Sequence, residues 1–140
     1  MDDELVERTR KIFEHFSRRD VAAMLELCDP AVEFLPVTAS VASGGEPYRG
    51  HEGIRRYMAD AARVWEELVV EPTEFHRQGE DTVVTAGRVY AWGIGRVVDS
   101  PVGWLWRFSP EGLAIYGRVY ESRRAALEAA GLDPGVQPSS

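Results

Sequence analysis

A single cysteine, Cys28, is all the thiol this 140-residue chain carries. No internal disulfide and no multi-cysteine metal site can form from it. The three histidines, His15, His51 and His76, are scattered without ligand spacing, so no metal is expected. Apolar runs stay far below the roughly 18 residues that a membrane helix needs. The first twenty residues are charged throughout, unlike a secretory signal. Gly93-Ile94-Gly95 lacks the third glycine and the following helix of a phosphate-binding loop. No Gly-x-Ser-x-Gly elbow is present. Lysine is nearly missing too, with Lys11 alone among 16 basic residues. We read that as coding bias and not as an anion site.

What is there suits one soluble domain. The chain is 44% hydrophobic and 28% charged, a globular balance. At this length about two thirds of the unfolded surface can be buried. Acidic residues number 23 and the net charge is −7, which disfavours nucleic acid as a partner. A cytoplasmic protein without membrane contact is the expected setting. A folded domain over 1–133 and a loose tail over 134–140 are expected.

Periodicity sets the elements. Asp3 precedes Leu5, Val6, Thr9, Ile12, Phe13 and Phe16, a helical stripe that predicts a helix over 3–18. Asp20 caps a short second helix with Val21, Met24, Leu25 and Cys28 on one face. A strand is expected over 31–37, a polar loop over 38–50, and a third helix from His51 on the spacing of Ile54, Tyr57, Met58, Ala61 and Trp65. The period then changes to two. Strands are expected over 68–78, 82–93, 100–109 and 113–120, and a last helix over 125–130. Helices set apart from a meander argue an α+β fold with an antiparallel sheet.

Four stretches carry a family resemblance. They are Arg19-Asp20 with Met24-Leu25 and Asp29-Pro30-Ala31-Val32-Glu33-Phe34; Tyr48-Arg49-Gly50-His51-Glu52-Gly53-Ile54; Trp104-Leu105-Trp106-Arg107-Phe108; and Tyr120 with Ala126-Leu127-Glu128-Ala129-Ala130-Gly131-Leu132. Together they resemble the SnoaL-like, ketosteroid-isomerase-like branch of the nuclear transport factor two-like superfamily. The resemblance implies a cone-shaped α+β barrel, with three N-terminal helices across the concave face of a curved antiparallel sheet. It implies a small hydrophobic ligand, a homodimer and no cofactor. It does not bring the isomerase groups with it. The base falls on Leu35, the neutral carboxylic acid on Trp104 and the tyrosine near Ile12, none of which can shuttle a proton. A one-residue slip between Glu33 and Leu35 would restore a base. The epoxide-hydrolase variant would need a second inward aspartate beside Asp99 and Arg88 or Arg118.

The candidate site follows from strand alternation and that resemblance. Tyr116, Arg118 and Tyr120 share one face, which the resemblance turns into the cone. Trp104 and Trp106 share the inward face of the preceding strand. Arg88 and Tyr90 share a face opposite Val89 and Ala91, and either face could be the inward one. Glu33 shares a face with Leu35. Glu33, Arg88 and Arg118 are thus the candidate catalytic groups, with Glu33 as general acid or base. His15, Phe16, Leu35, Tyr57, Tyr90, Trp104, Trp106, Tyr116 and Tyr120 are the candidate ligand contacts. His51 reads as a helix-start residue, His76 as exposed, Asp99 as a solvated turn residue and Cys28 as packing. Two functions remain open. One is cofactor-free acid–base cyclisation, isomerisation or dehydration of a small hydrophobic oxygenated substrate. The other is a non-catalytic binding or dimeric structural module of the same fold.

Overall fold

The computed structural model describes residues 3–36, 46–93 and 95–138. Nine elements and a two-residue strand run in the order α1 (Glu4–Ser17), α2 (Val21–Glu26), β1 (Cys28–Leu35), β2 (Tyr48–Arg49), α3 (Gly50–Val64), β3 (Glu67–Gln78), β4 (Thr82–Gly93), β5 (Arg96–Phe108), β6 (Ala114–Tyr120) and α4 (Arg123–Ala129). Asp3 starts α1 by accepting hydrogen bonds from the amides of Leu5 and Val6 at 3.0 and 3.3 Å. Its carboxylate also receives Arg77 of β3 at 2.7 Å, which ties the first helix to the sheet. Asp20 caps α2 through the Ala23 amide.

The strands form one curved, unclosed sheet in the order β2-β1-β6-β5-β4-β3. The sheet is not wholly antiparallel. β1 and β6 run parallel, because the long crossover through α3 and three strands returns β6 in the direction of β1. β2 lies inside the span expected to be loop; most of that loop, residues 37–45, is outside the described residues. β5 begins at Arg96, four residues earlier than its alternation suggests. The hairpin before it contains Gly95 at φ +71, a backbone state open to glycine.

Helices α1, α2 and α3 cover the concave face. The main core lies between them and the sheet, with Val6, Ile12, Phe13, Phe16, Met24, Ile54 and Met58 packed against Phe75, Val83, Trp104 and Trp106. α4 packs on the convex face over Val84, with Ala126 and Leu127 fully buried. Pro134 and Val136, expected in a loose tail, accept hydrogen bonds from Arg123, and Val136 packs beside Leu132 on this second core. Ser139 and Ser140 of that tail lie outside the described residues.

His76 is a correction. It was expected to be exposed and is fully buried. It pairs with Val84 in register, on the face that α4 covers. Its Nε2 lies 3.4 Å from Glu74, whose carboxylate is held by Arg123 of α4 at 3.0 Å. Alternation alone gave the strand face but not the helix that later lands on it.

Candidate functional site

Between the helix layer and the concave sheet lies a cavity of about 190 Å3. Drug-sized ligand pockets run from about 300 to 1,000 Å3; this cavity is smaller. α1 contributes Ile12, Phe13 and Phe16; β1 contributes Val32 and Phe34; α3 contributes Ile54, Tyr57 and Asp60. The floor is made by Val89 and Ala91 of β4, Val102, Trp104 and Trp106 of β5, and Gly117 and Val119 of β6.

The aromatic walls interlock. Phe13 meets Trp104 and Trp106 edge-on, with centroids 5.0 and 5.8 Å apart. Phe34 stacks on Trp106 at 6.1 Å and meets Tyr57 edge-on at 4.9 Å. Such pairs contribute about 0.5–1.5 kcal/mol each beyond area burial. Gly117 leaves room for this stack: a Cβ there would come within 2.6 Å of the Trp106 ring and 3.1 Å of Phe34.

Polar groups on the wall are few. The Tyr48 hydroxyl donates to Asp60 Oδ2 at 2.8 Å, and Arg63 donates to Oδ1 at 3.0 Å. Asp60 is buried, so both oxygens of a desolvated carboxylate are held. Tyr57 makes no hydrogen bond through its hydroxyl among the described residues. Burial pushes its phenol well above the ordinary tyrosine range; Arg19 pulls partly the other way and Tyr48 adds to the rise. Trp104 also lacks a hydrogen bond for its indole N–H among the described residues. The Trp106 indole N–H, by contrast, is sealed in the wall without a partner among the described residues. Burial raises the Cys28 thiol to about 11, so the thiol stays protonated and unreactive. At the rim stand Ser100 and the exposed Arg96.

Of the expected contacts, Phe16, Tyr57, Trp104 and Trp106 do line the cavity. His15 sits beside Phe16 but outside the lining, with Nδ1 buried and without a partner among the described residues. The remaining expected groups stand on the convex face. On β6, Ala114 lines the cavity, and an irregularity in the pairing with β5 separates it from Tyr116. Ile115 is the extra residue. The bulge reverses the phase, so Gly117 and Val119 turn inward while Tyr116, Arg118 and Tyr120 turn outward. On β1, Val32 and Phe34 take the inside, leaving Glu33 and Leu35 on the other face. Glu33 pairs there with Arg49 at 3.4 Å. On β4, Val89 and Ala91 face inward, and Arg88 and Tyr90 outward. Arg88 forms an open surface pair with Asp99 at 2.8 Å. Glu33, Arg88 and Arg118 therefore do not converge on the cavity.

Asp60, Tyr48, Ser100 and Arg96 were not singled out from the sequence. Asp60 follows Tyr57 by three residues on α3, so helical spacing already put it beside the apolar stripe. Ser100 and Arg96 continue the alternation of Trp104 and Val102 toward the chain start. For Arg96 that signal was lost because the strand was expected to open only at residue 100. His51, in the first turn of α3, donates through Nε2 to the Cys28 carbonyl oxygen 2.9 Å away. Among the described residues no cluster of His, Cys, Asp and Glu could hold a metal. Nor is any helix among them long and apolar enough to cross a membrane.

A curved open sheet closed on its concave side by helices around an apolar cone is the architecture of the nuclear transport factor two-like proteins. Within that class the chain belongs to the SnoaL-like domain family, whose profile matches residues 9–116. Among solved structures, it is similar to a nuclear transport factor two-like protein of unknown function from Burkholderia pseudomallei K96243. The TM-score is 0.77 at 21% identity, over 91% of this chain and 97% of that one. It is similar to TerC co-crystallised with polyporic acid, at TM-score 0.76 and 23% identity, over 92% and 99% of the two chains. It is also similar to Rv0760c from Mycobacterium tuberculosis in complex with estradiol-17β-hemisuccinate, at TM-score 0.70 and 17% identity, over 85% and 94%. At these identities the likeness is one of fold. Among curated proteins, none matches the chain by sequence.

Proposed function

We propose that the protein binds a small, hydrophobic, oxygen-bearing molecule in the cone. The observation that carries this reading is the wall itself: aromatic and aliphatic on nearly every side, with the Tyr57 hydroxyl and the Trp104 indole N–H left without partners among the described residues. Two unpaired donors in an apolar setting favour a ligand that brings an acceptor oxygen. Neighbours of the same fold hold ligands of related character, a polyporic acid in one and an estradiol hemisuccinate in another. The test is calorimetry with a matched pair such as 1-tetralone and tetralin. Binding of the ketone, weakened several-fold in Tyr57→Phe, supports the reading; no binding of either compound sinks it.

A second reading adds turnover. Asp60 is the one carboxylate on the cavity wall among the described residues, and Tyr48 contacts it at 2.8 Å. A held carboxylate with a phenol beside it can pass a proton to or from a bound substrate. In this reading cofactor-free cyclisation, isomerisation or dehydration runs through Asp60, not through Glu33. Once a substrate is found by screening, Asp60→Asn should abolish turnover while binding persists. Unchanged turnover in that variant would leave only the binding function.

We also propose a homodimer, acting in the cytoplasm, that joins through the part of the convex face α4 leaves bare. Val69, Tyr90, Trp92 and Val97 are exposed there, and register sets Val69 against Tyr90 and Trp92 against Val97. Exposed apolar side chains clustered on one face, here around the Arg88 and Asp99 pair, are a mark of interaction surfaces. Light scattering should give twice the 15.7 kDa chain mass and the monomer mass for Trp92→Glu. A wild-type monomer at micromolar concentration would remove the dimer.

A further inference from the structure

The concave face of β5 carries a gradient that the apolar reading of the cone does not use. Arg96, Val98, Ser100, Val102 and Trp104 share this face. Arg96 is exposed and Ser100 half-buried, whereas Val102 and Trp104 are 5% and 3% exposed. The strand thus runs from the mouth of the cone to its floor. At about 3.3 Å per residue, Ser100 lies roughly 13 Å along it from Arg96. Arg96 is the single cationic side chain on the cavity lining among the described residues. It forms no ion pair or hydrogen bond among them. Asp99 faces the other side and holds Arg88, and Asp60 holds Arg63.

We infer that the cone takes an amphipathic monocarboxylate, with its carboxylate at Arg96 and its apolar body directed along β5 past Ser100 toward Trp104. This inference rests on the proposed binding function and names its ligand class. A guanidinium can grip both carboxylate oxygens at once. The net charge of −7 repels anions at long range, so a local cation is what an anionic head needs at this mouth. A neutral ligand lacks the negative charge that Arg96 would pair with.

The probes are decanoate and decanol, measured by calorimetry at low ionic strength against the wild type and Arg96→Gln. An exposed ion pair is weak, so the expected preference for decanoate is about two- to fivefold. Arg96→Gln should erase that preference and leave decanol affinity unchanged. Arg96 is exposed, so the variant should fold, and an unchanged melting curve checks this. Equal affinity of the wild type for both probes, or a preference that survives Arg96→Gln, overturns the carboxylate assignment while decanol binding upholds the cone. Binding of neither probe, nor of the tetralone pair, overturns both.

Discussion

Tyr48, fully buried, donates a 2.8 Å hydrogen bond to the carboxylate of Asp60 twelve residues later. The bond joins β2 to the far half of α3 and holds the only acidic group on the cavity wall among the described residues. Removing the hydroxyl leaves a buried carboxylate short of one donor, which typically costs about 1–3 kcal/mol. Tyr48→Phe should therefore lower the urea midpoint with little change in slope. A variant as stable as the wild type would mean that water replaces the phenol.

The charged groups of the convex face should behave differently. Arg88 and Asp99 are both about half exposed, and so is Glu33 beside Arg49. Exposed pairs of this kind contribute about 0–1 kcal/mol. Glu33→Gln, Arg88→Gln and Arg118→Met should each shift stability by less than about 1 kcal/mol and leave ligand binding in the cone unchanged. A large loss of binding in any of the three would return that residue to the site.

Gly117 tests the packing of the floor. A methyl group there would sit 2.6 Å from the Trp106 ring, closer than carbon atoms approach. The Phe34 and Trp106 stack must shift to admit it. Overpacking of this sort costs about 1–3 kcal/mol. Gly117→Ala should lower stability by that amount and weaken ligand binding as well, because the displaced rings line the cavity. Calorimetry on the same samples reads both effects.

Much of the fold was legible because it is local. The stripe from Val6 to Phe16 set α1, and the alternation from Thr82 to Gly93 set β4 with both bounds as observed. The direction of β1 against β6 depends on a crossover of some eighty residues, which no local pattern records. The site was less legible for one specific cause. Period two gives two faces but does not say which is inward, and a single extra residue at Ile115 exchanged them on β6. Trp104 and Trp106 kept their expected side since β5 has no such break between them. Asp60 was overlooked because a carboxylate on a helix reads as solvent-facing until Tyr48 and Arg63 are seen beside it.

Cys28 gives a pH dependence with a definite sign. Its thiol is buried, and desolvation raises its pKa from the ordinary 9.0 to about 11. Below pH 9 the folded and unfolded chains both carry the proton, so the thiol adds no slope. Between about 9 and 11 the unfolded chain loses the proton and the folded chain keeps it. The folded state then binds more protons, and stability falls as pH rises. Above about 11 both states are ionised and the slope from this group ends. At about 1.4 kcal/mol per pKa unit, the full loss is roughly 2–3 kcal/mol. Tyr57, raised by the same burial, extends the decline to more alkaline pH. Denaturation at pH 8, 9, 10 and 11 should show this fall in the wild type and a shallower one in Cys28→Ala, whatever that variant loses at pH 8. Parallel curves for the two proteins would show that the thiol ionises without cost, and hence that water reaches it in the folded state.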